Sequence, residues 1–267
     1  MAAHARTRVG FGAKVLAGAL VVALIPLGVV AVRTYDHQRH LAMETAFERL
    51  EGLASVQLAR IDDTIGRDVA VAESLAGSPV VLDLVEDGER NLLGDVALAQ
   101  AVSPSARIVS ATLLDSQGQV LARSQPGAPD RVRGAGIDTE DEEEGTGRVV
   151  AADSGGLANL TWITVAAGGR TGRLVIECDL TPLTDMAANY EGLSGTGETS
   201  LAQRTPEGGA QFIAPLRFRP GAELAVTVPP SANETPIIRA IEGEEGRVDD
   251  AVDYRGEHVL AITRQVD

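Results

Sequence analysis

The chain has 267 residues with 44% hydrophobic content, enough for one or two packed domains and too much for intrinsic disorder. A formal net charge of −15 with 3% aromatics has the wrong sign for tracking phosphate backbones and too few rings for stacking bases, so nucleic acid is excluded as a partner. A single cysteine, Cys178, excludes an internal disulfide and any multi-thiolate metal site.

Val15 to Val32 reads VLAGALVVALIPLGVVAV, with no charged residue. At 1.5 Å per residue it reaches about 27 Å, the thickness of a hydrocarbon core. Arg6, Arg8 and Lys14 precede it with no acid among them, which places the N-terminus in the cytoplasm. The run is longer than the apolar region of a signal peptide, and Val29-Val30-Ala31 is a poor cleavage site. The expectation is an uncleaved anchor in the cell membrane, single-pass, with residues 34–267 extracytoplasmic. Those exported residues carry −19, because the four basic residues of the first 33 are unopposed.

From Arg33 to Ala76 there is no proline, and Met43, Phe47, Leu50, Ala54, Leu58, Ile61, Ile65, Val69 and Ala72 recur at spacings of three and four. This is one apolar face of a long stalk helix. Such a helix leans on its own domain or on the same helix of a second subunit, so a homodimer through Met43, Phe47, Leu50 and Ala54 is expected. Gly77-Ser78-Pro79 stops it and starts another. Two shorter helices follow, near Pro79–Val85 and Glu89–Ala101.

The period then changes to two. Arg107–Leu114 and Val120–Ser124 flank the turn Asp115-Ser116-Gln117-Gly118-Gln119 as a β-hairpin. Gln125–Gly147 is a polar loop holding the acidic run 138–144. Strands resume at Arg148–Ala152, Leu160–Ala166 and Arg173–Cys178, and Thr181–Asn189 reads as a short helix with Pro182 in its first turn. Beyond Tyr190, Thr199–Arg204, Gln211–Phe218 and Glu223–Val228 read as strands and Pro236–Ile241 as a helix. Val252–Tyr254 and His258–Arg264 form a closing hairpin. The order gives an α+β fold of two antiparallel modules in tandem behind one helix.

No catalytic constellation assembles. Asp153-Ser154-Gly155-Gly156 has the look of a nucleophile loop, but beyond the span the histidines are His37, His40 and His258, two of them on the stalk. His37 and His40 lack a third metal ligand, and the acidic run lacks the glycine of a calcium loop. Gly192, Gly195 and Gly197 are not followed by the lysine of a phosphate loop. Cys178 alternates inward as a small core residue. The chain is therefore expected to be no enzyme and to hold no metal or cofactor.

Three stretches carry a resemblance: Gly192-Leu193-Ser194-Gly195-Thr196-Gly197-Glu198-Thr199, Ala214-Pro215-Leu216-Arg217-Phe218, and Asp253-Tyr254-Arg255-Gly256-Glu257-His258-Val259-Leu260-Ala261. With the cytoplasmic N-terminus, one span and a long helix, they resemble the membrane-proximal module of double Cache sensors, tandem PAS-like regions of bacterial histidine kinases, diguanylate cyclases and chemoreceptors. Leu114–Leu121 and the glycine-rich turn before Arg173-Leu174-Val175-Ile176 resemble the membrane-distal module. The resemblance implies an N-terminal span and cytoplasmic segment (1–33), a stalk (34–77), a distal module (78–189) and a proximal module (190–267). That second module is expected to be incomplete, with a further strand, a second span and an output domain beyond residue 267. It also implies signal transduction driven by a small-molecule ligand. The Tyr, Arg and Trp-Tyr cluster of amino-acid-binding members is absent; Asp153 stands where those members place an acidic contact to the ligand amine. The competing reading is an exported scaffold or adhesion protein without signalling output.

The ligand site is expected in the distal module, along its longest loop and the strands around Trp162, the lone tryptophan. Arg123, Arg131 and Arg133 bring guanidinium groups to the start of that loop in an acidic domain, which points to an organic anion. The candidate ligand-binding residues are Arg123, Arg131, Arg133, Asp153 and Trp162.

Overall fold

The computed structural model describes the backbone of residues 11–90, 92–125, 145–152 and 156–266; the side chains of residues 11–23, 25, 26 and 145–147 lie outside the description. Helix α1 runs unbroken from Phe11 to Ala76. Where the sequence divides span from stalk at residue 33, the backbone shows no boundary, and the helix continues through Pro26. A proline removes one ladder bond, and the neighbouring bonds carry the helix on.

The chain divides into two compact units, Met1–Arg49 and Leu50–Asp267. In the first, Leu24, Leu27, Val29, Val30 and Val32 are each more than half exposed. Among the described residues no helix is long and apolar enough to cross a membrane; the span expected at Val15–Val32 falls largely on residues whose side chains lie outside the description. Phe47, expected in a dimer seam, is 3% exposed within a single chain. Its ring is already out of solvent, which removes it from that seam.

In the second unit α1 ends at Ala76, and Ser78 caps the next helix, α2 (Pro79–Asp87), by accepting from the Val81 N–H at 3.4 Å. Helix α3 (Leu92–Val102) follows. Strands β1 (Ile108–Asp115), β2 (Val120–Arg123), β3 (Gly145–Ala151), β4 (Leu157–Ala167) and β5 (Arg170–Asp179) form one antiparallel sheet in the order β2-β1-β5-β4-β3. The β1–β2 hairpin closes as its sequence requires. Asp115 Oδ1 accepts from the N–H groups of Gln117 and Gln119 at 2.8 and 2.7 Å, and Gly118 takes the left-handed conformation, φ 75°.

The sheet is apolar on both faces. Ala111, Leu113, Ile163, Val165, Leu174, Ile176 and Cys178 pack with Ala72 and Leu75 of α1, Val81 and Leu84 of α2 and Leu98 of α3. The alternate residues Leu114, Leu160, Trp162 and Val175 form a separate cluster, as the two-residue period of strands dictates. Cys178 is 1% exposed, the small core residue expected.

After helix α4 (Thr181–Ala188), strands β6 (Ala202–Arg204), β7 (Ala210–Phe212) and β8 (Thr227–Val228) make a small sheet around Phe212, Leu216, Val226 and Ile238, the last on helix α5 (Pro236–Ile241). Strands β9 (Gly246–Val252) and β10 (His258–Thr263) pair as a separate ribbon. The strands read at Gln211–Phe218 and Glu223–Val228 shrink to three and two residues. Pro215 cannot donate to a ladder, and Leu216 pairs instead with Arg219 in a local bridge, while Leu224 takes the left-handed conformation, φ 56°, inside the second stretch. Conversely, the strand read at Val252–Tyr254 begins at Gly246. A register shift opposite Val259 and Ala261 breaks the two-residue alternation that would have marked it.

A shared apolar cluster joins α1 and the five-stranded sheet to the segments around the small one. Ile61 of α1, Val149 of β3 and Leu183 and Met186 of α4 are buried together, with Leu201, Ile213 and Leu224 packed against them. The Gln203 side chain closes both backbone groups of Val149, accepting from its N–H at 2.8 Å and donating to its carbonyl at 3.2 Å.

Gly172 marks the closest approach within the sheet. A Cβ there would stand 2.7 Å from the Leu114 carbonyl oxygen and 3.1 Å from Val85 Cγ2. Gly172→Ala is expected to cost about 1–3 kcal/mol through overpacking. Gly195→Ala, whose Cβ would meet nothing within 4 Å, should melt with the parent. Thermal melts of both check this, and equal melting points would refute the packing.

Candidate functional site

The register of the five-stranded sheet sets one row of residues across it. Arg123 of β2 lies opposite Thr112 of β1, Thr112 opposite Val175 of β5, Val175 opposite Trp162 of β4, and Trp162 opposite Gly145 of β3. Residues directly opposite one another share a face, and Trp162 and Val175 place this row on the face away from α2 and α3. Two of the expected site residues, Arg123 and Trp162, are thus brought together on one surface. Arg131, Arg133 and Asp153 lie outside the described residues.

Trp162 is 6% exposed, Thr112 and Arg123 7% each. The indole Nε1–H of Trp162 has no hydrogen-bond partner among the described residues, which is costly for a buried donor. Arg123 is held from behind. Its backbone N–H donates to Oδ1 of Asp95 at 2.8 Å, and Asp95 is 2% exposed on α3. Next to it, the Ser124 hydroxyl accepts from the Ala111 N–H at 2.8 Å. The end of β2 is therefore pinned to the rest of the module.

The same parity adds residues that sequence reasoning passed over. Arg173 lies opposite Leu114 and Thr164, while Arg148 and Glu177 lie opposite Leu160. Among the described residues this face therefore carries Arg123, Arg148 and Arg173 against Glu177 and, at the end of β5, Asp179, a small positive excess in a chain of net charge −15. The signal was present in the alternation of Arg173-Leu174-Val175-Ile176, but its face is defined only once β4 is known to be its neighbour. β2 and β3 are the two edges of the sheet, so residues 124–144 connect one edge to the other.

A separate cleft of about 540 Å³ is lined by Leu58, Asp62, Ile65, Gly66, Glu245, Gln265 and Val266. It has two carboxylates and no cation, so it does not suit an anion. Among the described residues no group of three or more histidine, cysteine or acidic side chains could hold a metal ion.

The three stretches that carry the resemblance beyond Tyr190 converge on Glu198. Its Oε2 accepts from the Arg217 N–H at 2.9 Å and from the Tyr254 hydroxyl at 3.2 Å. Arg217 donates to the carbonyls of Ser194 and Gly197 at 3.0 and 2.7 Å, with its guanidinium 4.6 Å from the Tyr190 ring centre. Arg255 stacks 4.1 Å from the Phe218 ring centre and pairs with Asp253 at 2.6 Å. Burial, then the hydrogen bond to Glu198, pushes the Tyr254 hydroxyl up to about 12. Glu198, Arg217, Tyr254, Arg255 and Asp253 thus bind one another and the turns around them.

Burial works to raise the Asp253 carboxyl, but bonds from the Arg255 side chain and from the N–H groups of Glu257 and Arg255 outweigh it and hold the carboxyl below its ordinary value. A depressed carboxyl contributes stability above the ordinary aspartate range, and that stability is lost as pH falls through the depressed value. Asp253→Asn should therefore be less stable than the parent at pH 7. The gap in denaturation midpoint should close on acidification below about pH 4, and a gap that is constant with pH would contradict the assignment.

No protein-family model matches the sequence, and no curated protein matches it. Among solved structures the chain is similar to an extracellular ligand-binding receptor from Desulfohalobium retbaense, at 11% identity and a TM-score of 0.48, over 79% of this chain and 37% of that one. It is also similar to the ligand-binding domain of the Campylobacter jejuni chemoreceptor Tlp3 in complex with L-norvaline, at 12% identity and a TM-score of 0.45, over 64% of this chain and 70% of that one. A third is the sensor domain of the V. cholerae histidine kinase DctB, at 13% identity and a TM-score of 0.43, over 64% of this chain and 66% of that one.

Proposed function

We propose that the chain is the membrane-anchored, extracytoplasmic sensor of a signalling protein. It binds a small organic anion on the outer face of its five-stranded sheet and passes that event along α1 to a cytoplasmic kinase or cyclase output. The observation that carries the ligand is the buried Trp162 Nε1–H without a hydrogen-bond partner among the described residues. It lies in one row with Thr112 and Arg123, on the face where arginines outnumber acids. A ligand carboxylate there would accept from donors held in place by the sheet, with Val175, Leu114 and Leu160 as its apolar wall.

Anchoring is supported by the uncharged run Val15–Val32 and the unopposed Arg6, Arg8 and Lys14 before it. The exposed Leu27, Val29, Val30 and Val32 are at home in hydrocarbon rather than water. The anionic exported part then stays clear of anionic headgroups. A homodimer through the stalk would use the outward flank of α1, where Val56 is 54% exposed, rather than Phe47.

Because Trp162 is the lone tryptophan, its fluorescence reports this face directly. Titration of the intact chain with a panel of mono- and dicarboxylates should find a compound that shifts the emission and raises the melting temperature. Arg123→Gln and Thr112→Val should each weaken that response about tenfold or more, as expected when a charged or neutral hydrogen bond to the ligand is removed. A panel without any response, or a response untouched by both substitutions, would remove this face as the ligand site. Topology is read separately: an alkaline-phosphatase fusion after Asp267 should be active and a cytoplasmic reporter silent, and the reverse pattern would refute the exported placement.

A further inference from the structure

At the far end of the sheet, α1 meets the strands through a buried charge. Asp68 is 3% exposed. Arg107, the residue just before β1, donates to Asp68 Oδ1 from both Nε and a terminal nitrogen, at 3.0 and 2.8 Å. One carboxylate oxygen thus takes both bonds, and the other receives nothing from the guanidinium. The Cys178 thiol of β5, 1% exposed, is the other group of the sheet that acts on the same carboxyl. The Arg107 carbonyl in turn accepts from the Asp179 N–H at 2.8 Å, tying the end of β5 to the start of β1. Arg67, the neighbour on α1 itself, is turned to Asp63 at 2.6 Å. Arg107, Cys178 and Arg67 are thus the charged or titratable groups acting on Asp68.

We propose that Asp68 is a proton-operated clamp between the stalk helix and the sheet, by which acidification fastens α1 to β1 and β5. Its standing as an input to signalling rests on the sensor reading above; the clamp itself does not. Removal from water disfavours the charged form, and one-sided pairing with Arg107 offsets this only in part, so the carboxyl sits above its ordinary value. When this part of α1 opens to solvent, the carboxyl returns to the ordinary value. The closed arrangement therefore holds a proton more tightly than the open one, and by linkage proton uptake favours closure. Ionised, Asp68 is the weak point of the contact. Protonated, its carbonyl oxygen still accepts from Arg107 while the buried charge is gone. The Cys178 thiol is pushed up to about 12, chiefly by burial and next by the Asp68 charge, so it stays neutral and a single proton works the clamp.

Hydrogen exchange of the intact chain, corrected for the intrinsic pH dependence of amide exchange, reads the clamp without any organic ligand. Protection of the amides at positions 64–72 should rise as pH is lowered from 7.5 toward the ordinary aspartate value of about 3.9, by at most about tenfold per pH unit for one proton, and a flat response over that range overturns the proposal. Asp68→Asn, which keeps the shape without the charge, should show the acid level of protection at both pH values. Protection that falls on acidification, or a pH response that survives in Asp68→Asn, overturns the proposal. If Asp68→Asn does not fold, the carbon-13 titration of the Asp68 carboxyl in the parent decides. A midpoint above about 3.9, the ordinary aspartate value, supports the clamp, and one at or below it overturns it. Because the proton is the probe, a silent carboxylate panel leaves this result standing, and failure here leaves the ligand site untouched.

Discussion

One face of α1, between Leu50 and Ala76, serves every part of the second unit in turn. Glu51 pairs with Arg247 of the β9–β10 ribbon at 2.9 Å. Leu53 packs against Gly192, and Gln57 donates to Thr199 at 2.8 Å. Ile61 enters the shared apolar cluster, Asp68 holds Arg107, and Ala72, Leu75 and Ala76 enter the core beneath the sheet. A helix fixes these positions at 1.5 Å per residue, so the contacts from Glu51 to Ala76 are strung along about 38 Å of one rigid rod. Neither module can shift along that rod without breaking a contact that also positions the other.

The sheet is the second rigid part, because its two faces cannot be varied independently. Leu113 and Leu174 point to the helices while Thr112 and Val175, one residue away on the same strands, point to the outer face. A one-residue slip would exchange the core for the outer face. Gly172 under the Leu114 carbonyl and Asp95 on the Arg123 N–H hold the register at the rim. Two of the sheet's strands, β1 and β5, both end at the Arg107–Asp68 contact.

The sequence exposed what depends on local pattern and hid what depends on pairing. The Asp115–Gln119 turn, the stop at Gly77-Ser78-Pro79 and the apolar spacing through Ile61 and Ala72 are each written within a few residues, and the structure has all three. Trp162 and Arg123 were legible as unusual residues in an aromatic-poor, acidic chain, but their meeting needs β1 and β5 between them, a long-range fact. Arg173 and Arg148 were missed for the same reason. Phe47 was misread because periodicity gives the apolar face of a helix without saying what covers it. The short β7 and β8 were overextended because alternation outlived the backbone donor that Pro215 removes and the extended backbone that Leu224 leaves.

Two aspartates, each joined to an arginine, show how little a charge pair means without its surroundings. Asp253 is met from several sides: by the Arg255 guanidinium and by the backbone N–H groups of Arg255 and Glu257, at 2.7, 2.8 and 3.1 Å. Those donors prefer the ionised form, so the pair behaves as a fixed brace. Asp68 has an equally short arginine contact, but both its bonds fall on one oxygen, in a site closed to water, and its other neighbour is a neutral thiol. There desolvation outweighs attraction, the direction of the shift reverses, and the pair becomes sensitive to the proton. Placed at the brace, that sensitivity would disturb one turn. Placed where β1, β5 and α1 meet, it acts on the contact through which the sheet and the stalk are joined.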